Sequence, residues 1–125
     1  MTITIQIGNV SIQAELHDTP TARQVAAALP IRASFRTWGD EIYFPIPVDA
    51  ELEDSARQVV HLGDLGYWPP GKAFCIFFGQ TPASKPGEIR PASAVNIIGR
   101  VVGDATRLKA VMRETEVLLE ATPPP

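Results

Sequence analysis

Six residues between positions 35 and 68 are of the types that line ligand clefts: Phe35, Arg36, Trp38, Tyr43, Tyr67 and Trp68. Aromatic rings bury much apolar area, and Tyr and Trp add a polar handle. A concave apolar surface with a few polar groups is what a small molecule or an extended peptide needs for binding. Trp38 and Tyr67 each stand beside a glycine at an expected strand end, so they lead the candidates for the cleft rim, with Tyr43 and Trp68 also near turns. Arg36 can grip an anionic group bidentately; its plainer role is an ion pair with Asp40 or Glu41, or solvation. Asp40 and Glu41 are side by side, and paired carboxylates suggest acid–base or hydrolytic work. Neighbours on a strand point to opposite faces, however, so the two cannot act as a pair there. An Asp after a Gly is also a common turn former.

Other reactive side chains are sparse. His61 and Asp64 offer two groups where a metal centre needs three or four ligands, so neither a metal nor any other cofactor is expected. His17 precedes a helix cap. The single Cys75 sits in an apolar run, where burial raises a thiol's pKa and keeps it unreactive. Gly79-Gln80-Thr81-Pro82 has backbone donors but no phosphate-loop pattern, and reads as a turn that ends a strand. Asn96, within an apolar stretch, needs hydrogen-bond partners and either pins the long 79–93 loop or faces the groove.

The 11 Lys and Arg residues are scattered and the net charge is −3, which excludes a basic nucleic-acid footprint. No apolar run approaches the ~20 residues of a membrane helix. No secretory leader is visible at the N-terminus. With one cysteine there is no internal disulfide, and a cytoplasmic location fits.

Positioning these residues requires a scaffold, and the periodicity supplies one. Residues 3–7 and 10–16 alternate apolar with polar around Gly8-Asn9, a hairpin signal. Asp18 or Thr19 caps a short helix with Pro20 in its first turn, Ala22, Val25, Ala26 and Leu29 on one face, and Pro30 as its stop. Strands are expected over 31–37 and 41–48, joined at Gly39-Asp40. Pro45 and Pro47 place the second at a sheet edge, and that apolar edge is able to seat a homodimer partner. Residues 49–57 read as a loop. A strand begins at Val59-Val60 and ends at Gly63-Asp64, and Pro69-Pro70-Gly71 forces a turn. Ala73 to Phe78 is an apolar run suited to burial on both faces. A long loop covers 79–93, and a strand covers 95–102, interrupted by Gly99. Asp104 caps a second short helix bearing Leu108, Val111 and Met112, and 117–119 form the last strand. The expected fold is mainly β: one domain over 1–120, a closed antiparallel barrel of about eight strands with two short helices at its ends. Residues 121–125 form a disordered, proline-rich tail.

Three stretches carry a family likeness. Glu15-Leu16-His17-Asp18-Thr19-Pro20-Thr21-Ala22 resembles the segment entering the first helix of cyclophilins. Gly71-Lys72-Ala73-Phe74-Cys75-Ile76 resembles their central strand, and Asn96 to Asp104 resembles their late strand and the turn after it. The runs Trp38 to Phe44, Gly66 to Gly71 and Phe77 to Pro82 look more specifically like a small prokaryotic cyclophilin-like family of unknown function. The resemblance implies the barrel just described. It also implies a comparison with prolyl isomerisation, in which cyclophilins use an Arg donor and an aromatic proline pocket. Arg36 takes the place of that Arg. The family's glutamine falls at Lys72 or Ala73, its pocket Phe at Cys75 and its His at Val95. The reading that follows is a cyclophilin-like binding module with an aromatic cleft for a small molecule or extended peptide. A peptidyl-prolyl isomerase with an altered site centred on Arg36 is the alternative, and acid–base chemistry by Asp40 or Glu41 a third.

Overall fold

Alternating Ile and polar residues make Thr2–Ile7 (β1) and Val10–Leu16 (β2) a hairpin whose apolar side chains all point one way, with Ile3, Ile5 and Ile7 fully buried. This structure, a computed structural model, describes residues 1–123. After the hairpin, Pro20–Ala28 (α1) begins at Thr19, whose side chain accepts from the Ala22 backbone N–H at 3.2 Å. The strands that follow are Ile31–Ser34 (β3), Arg36–Thr37 (β4), Glu41–Pro45 (β5), Asp64–Trp68 (β6), Ala73–Phe77 (β7), Asn96–Val102 (β8) and Glu116–Ala121 (β9). A single 3₁₀ turn covers Pro69–Gly71, and a longer 3₁₀ helix, Ala105–Val111, is capped by Asp104. No helix among the described residues is long and apolar enough to cross a membrane.

All pairings are antiparallel, in the order β3-β9-β1-β2-β8-β6-β7-β5-β4. The two outermost strands, β3 and β4, are consecutive in the chain and separated only by Phe35. The sheet therefore curls into a nearly closed barrel. The expected strand over 31–37 is broken at Phe35, whose backbone N–H bonds Thr115 O at 3.0 Å, and this raises the strand count to nine. The barrel interior holds Ile42, Phe44, Leu65, Tyr67, Phe74, Ile76 and Ile98 together with the hairpin isoleucines. Val25 of α1 and Leu108 of the 3₁₀ helix join the same core. Phe44 and Phe74 are direct cross-strand partners and stack with centroids 5.2 Å apart.

Pro45 and Pro47 are exposed while Ile46 and Val48 are buried. Ile46 N–H bonds Lys72 O at 2.9 Å on the β7 side. The prolines thus present their missing donors to the open edge beyond the two-residue β4.

The region after residue 57 departs from expectation. Val59-Val60 does not start a ladder strand; Val60 makes only an isolated bridge to Ile89. The strand begins instead at Asp64 and includes Tyr67 and Trp68, which the sequence placed at a turn. Gly66 hides the alternation there: it occupies the position facing Val95 and Phe77, where a Cβ would come within 3.0 and 3.3 Å of their side chains. Opposite it, β8 carries one extra residue, Ile98, between the partners of Leu65 and Gly66. The tail expectation also changes in part. Ala121 completes β9, and Thr122 N–H bonds Thr2 O at 3.0 Å, because β1 still offers ladder partners there. Pro124 and Pro125 lie outside the described residues.

Asn96 pins a different loop from the one expected, 49–53 in place of 79–93. Its side chain accepts from Glu53 N–H at 2.8 Å and donates to Glu51 O at 2.9 Å and to Thr21 Oγ1 at 3.0 Å. Thr21 also bonds the Glu53 carboxylate, so α1, the loop and β8 are tied at one buried point. Asn96→Ala leaves several of these groups without partners and is expected to cost about 2 kcal/mol in denaturant unfolding. A loss indistinguishable from a surface substitution contradicts the role.

Candidate functional site

On β5, side chains alternate between the two faces of the barrel wall. Ile42 and Phe44 enter the core; Glu41 and Tyr43 point outward. β7 does the same, with Phe74 and Ile76 inside and Ala73, Cys75 and Phe77 outside, yet all five are buried. The cover on the outer face comes from two loops. Arg57 bridges to Val95 and Val60 to Ile89, laying the 57–60 segment beside the 79–95 loop. Val60 and Val95, with partly buried Ile89, then pack on Ala73, Cys75 and Phe77.

The 79–95 loop is held by its own side chains. Thr81 Oγ1 donates to Arg90 O, and Ser84 Oγ accepts from the backbone N–H of Thr81 and of Arg90, both at 3.0 Å. Arg90 pairs with Glu88 at 3.0 Å. Such self-packed surface loops are often functional.

Between this loop and the barrel wall lies a cavity of about 250 Å³, lined by Trp38, Glu41, Tyr43, Trp68, Cys75, Pro91, Ala92 and Val95. Trp68 is braced on both sides: its indole N–H donates to Ser93 Oγ at 2.6 Å, and a Cβ at Gly71 would lie 2.9 Å from its ring. Trp38 is set by the β4–β5 turn, where its N–H bonds Glu41 O at 2.9 Å and Gly39 takes a positive φ of 60°.

Glu41 is the one carboxyl among the lining residues. It is only 6% exposed, and its Oε1 has no hydrogen-bond partner among the described residues. Burial pushes its pKa up from 4.5 to about 7, with the Cys75 thiol pulling weakly the other way. Cys75 is its diagonal neighbour across the β5–β7 ladder. Burial, then the Glu41 charge, drives that thiol's pKa well up, so Cys75 is a wall of the cavity and not a nucleophile. Chemically, the site is an aromatic recess with one carboxyl whose pKa burial raises toward neutrality.

The structure divides the six cleft candidates. Trp38, Tyr43 and Trp68 line the cavity. Tyr67 does not: it is fully buried on the inner face of β6, donating its hydroxyl to Val48 O at 2.6 Å and accepting from Ala50 N–H at 3.2 Å. A strand residue next to Gly66 alternates inward, which the turn reading missed. Phe35 is also core, at the point where the barrel closes. Arg36 is exposed and directly opposite Tyr43, so it leaves the same face but stands outside the cavity lining.

Asp40 and Glu41 separate as strand geometry requires. Asp40 holds the turn through backbone bonds to Gln80 and Phe78 and lies 3.7 Å from Lys109 Nζ. His61 is exposed in a turn, its N–H donating to Asp64 Oδ2 at 2.8 Å, away from the cavity. Cys75, Pro91, Ala92 and Val95 were not anticipated as lining. For Cys75 a signal existed: it shares β7's outward parity with Ala73 and Phe77. Cys75 and Val95 are also the positions to which the resemblance assigns the proline-pocket Phe and the His.

Comparison with known proteins agrees with the fold. The solution structure of the hypothetical protein AF2241 from Archaeoglobus fulgidus is 45% identical, with a TM-score of 0.81, covering 98% of this chain and 95% of that one. A structure of McbB in complex with tryptophan shares the fold alone, at 13% identity and a TM-score of 0.72 over 45% of its own chain. No functionally curated protein matches. The family model described as cyclophilin-like matches residues 1–120, and the chain belongs to that cyclophilin-like family.

Proposed function

We propose that this protein is a binding module that takes a small organic molecule into the recess between β5, β7 and the 79–95 loop. One observation carries the reading: three aromatic side chains and a buried carboxyl with one oxygen unpartnered among the described residues converge on one cavity outside the packed barrel core. At about 250 Å³ the space suits one ring with a short substituent and is too small for several peptide residues.

Both tryptophans of the chain line the cavity, so intrinsic fluorescence reports on its occupancy without a label. Ala92→Trp is expected to block the recess from its exposed side. The variant should lose the fluorescence response to any bound molecule while changing stability by no more than about 0.5 kcal/mol. If it binds as well as the parent, the ligand sits elsewhere. A protease-coupled assay on Xaa-Pro peptides should show no acceleration, because Arg36 stands outside the cavity and Cys75 and Val95 occupy the positions the isomerase chemistry would need. Turnover that Arg36→Ala abolishes would favour the isomerase reading instead.

A further inference from the structure

Every residue lining the cavity other than Glu41 is aromatic, apolar or a buried thiol, and none is basic. Of the polar side chains around it, Lys109 lies beside Asp40, Arg90 pairs with Glu88 and Ser93 accepts from Trp68, while Arg36, opposite Tyr43, stands outside the lining. The Glu41 carboxyl is more than nine-tenths buried, and although the Cys75 thiol lies against it, its Oε1 has no hydrogen-bond partner among the described residues.

We propose that the ligand is a small organic cation, a protonated amine carrying one apolar group, whose ammonium donates to Glu41 while Trp38, Tyr43 and Trp68 surround it. This rests on the binding reading above and names its ligand class. Three features favour a cation over a neutral or anionic ligand. An ammonium supplies both the missing donor and the charge that makes an ionised Glu41 acceptable in an apolar recess. Tyr and Trp ring faces attract cations through their quadrupole. An anion would be placed against the carboxylate with no basic group among the lining residues to hold it. The apolar substituent then has Val95, Pro91 and Ala92 to rest on.

The test uses three probes of similar size on the full chain at about pH 8, followed by tryptophan fluorescence and calorimetry: phenethylamine, phenethyl alcohol and phenylacetate. Phenethylamine is expected to bind ~10-fold to ~100-fold more tightly than the alcohol, as a charge-assisted bond to a buried carboxylate implies, and phenylacetate most weakly. In Glu41→Gln, which keeps the shape of the side chain, the amine's advantage should disappear while the alcohol still binds. Equal affinity for amine and alcohol, or an amine advantage that survives in Glu41→Gln, overturns the cation assignment and leaves the recess as a binding site. Tightest binding of phenylacetate does the same and points toward Arg36. If none of the three perturbs the tryptophans at millimolar concentration, the recess reading and the cation assignment fall together.

Discussion

Glu41→Gln is expected to stabilise the protein, and to do so increasingly as pH rises. Burial lifts the Glu41 pKa from 4.5 to about 7. Below pH 4.5 the group is protonated in both the folded and unfolded chains, and nothing is lost. Between 4.5 and 7 the unfolded chain ionises first, so folded stability falls with rising pH. Above 7 both states are ionised and the penalty is complete, at roughly 3 kcal/mol for a shift of this size. Glutamine has no such titration. The stability difference between variant and parent should therefore grow from pH 4.5 to pH 7 and then level off, measured by denaturant unfolding across that range. Glu15, Asp18, Glu88 and Asp104 have lowered pKa values, from hydrogen bonds to the chain's own amino terminus, Arg23, Arg90 and Thr106 respectively. Their contributions are lost as pH falls, the opposite direction, and they are common to both proteins, so they cancel in the difference. Parallel stability curves for the two proteins would show that Glu41 is hydrated in the folded state.

Phe74→Ala should cost about 3–5 kcal/mol, the range for emptying a fully buried aromatic site. Phe74 is fully buried on the inner face of β7, is stacked on Phe44 and lies across from Tyr67 on β6. Its removal opens a cavity at the centre of a wall paired on both sides, where backbone collapse is hardest. A double-mutant cycle with Phe44→Ala should return a coupling of about 0.5–1.5 kcal/mol for the stacked pair. Trp38→Ala, on the outer face, is expected to cost about 1 kcal/mol and to weaken ligand binding. If Phe74→Ala unfolds at the same denaturant concentration as the parent, the division of the aromatic residues between core and site is wrong.

That division was only partly legible in the sequence. The hairpin, the capped helix, the doubly buried strand and the long loop follow from alternation, capping residues and composition, because each is a local pattern that tertiary contacts did not override. Phe44, Phe74, Phe77 and Phe78 are readable as buried for the same reason. Tyr67 is the instructive failure. Gly66 breaks the period-2 pattern, and the neighbouring Pro69-Pro70-Gly71 suggests a turn, so the strand was displaced and a core residue was assigned to the cleft. Glu41 was seen, but as an acid–base candidate on an equal footing with Asp40 and not as part of the cleft. Strand parity already argued against the pair. What parity does not reveal is that the outer face is roofed, since that depends on a loop folding back from residues some forty positions away.

The roof makes the recess a composite of two independently built walls. The barrel strands supply Glu41, Tyr43, Trp68 and Cys75 and the β4–β5 turn supplies Trp38, whereas Pro91, Ala92 and Val95 belong to a segment outside the strands that closes on itself through Thr81, Ser84 and Arg90. The two walls of the recess therefore come from separate stretches of chain, and the interior side of the barrel wall is filled independently by Ile42, Phe44, Phe74 and Ile76. Substitutions at Pro91 or Ala92 are thus expected to reshape the recess while leaving the barrel interior untouched.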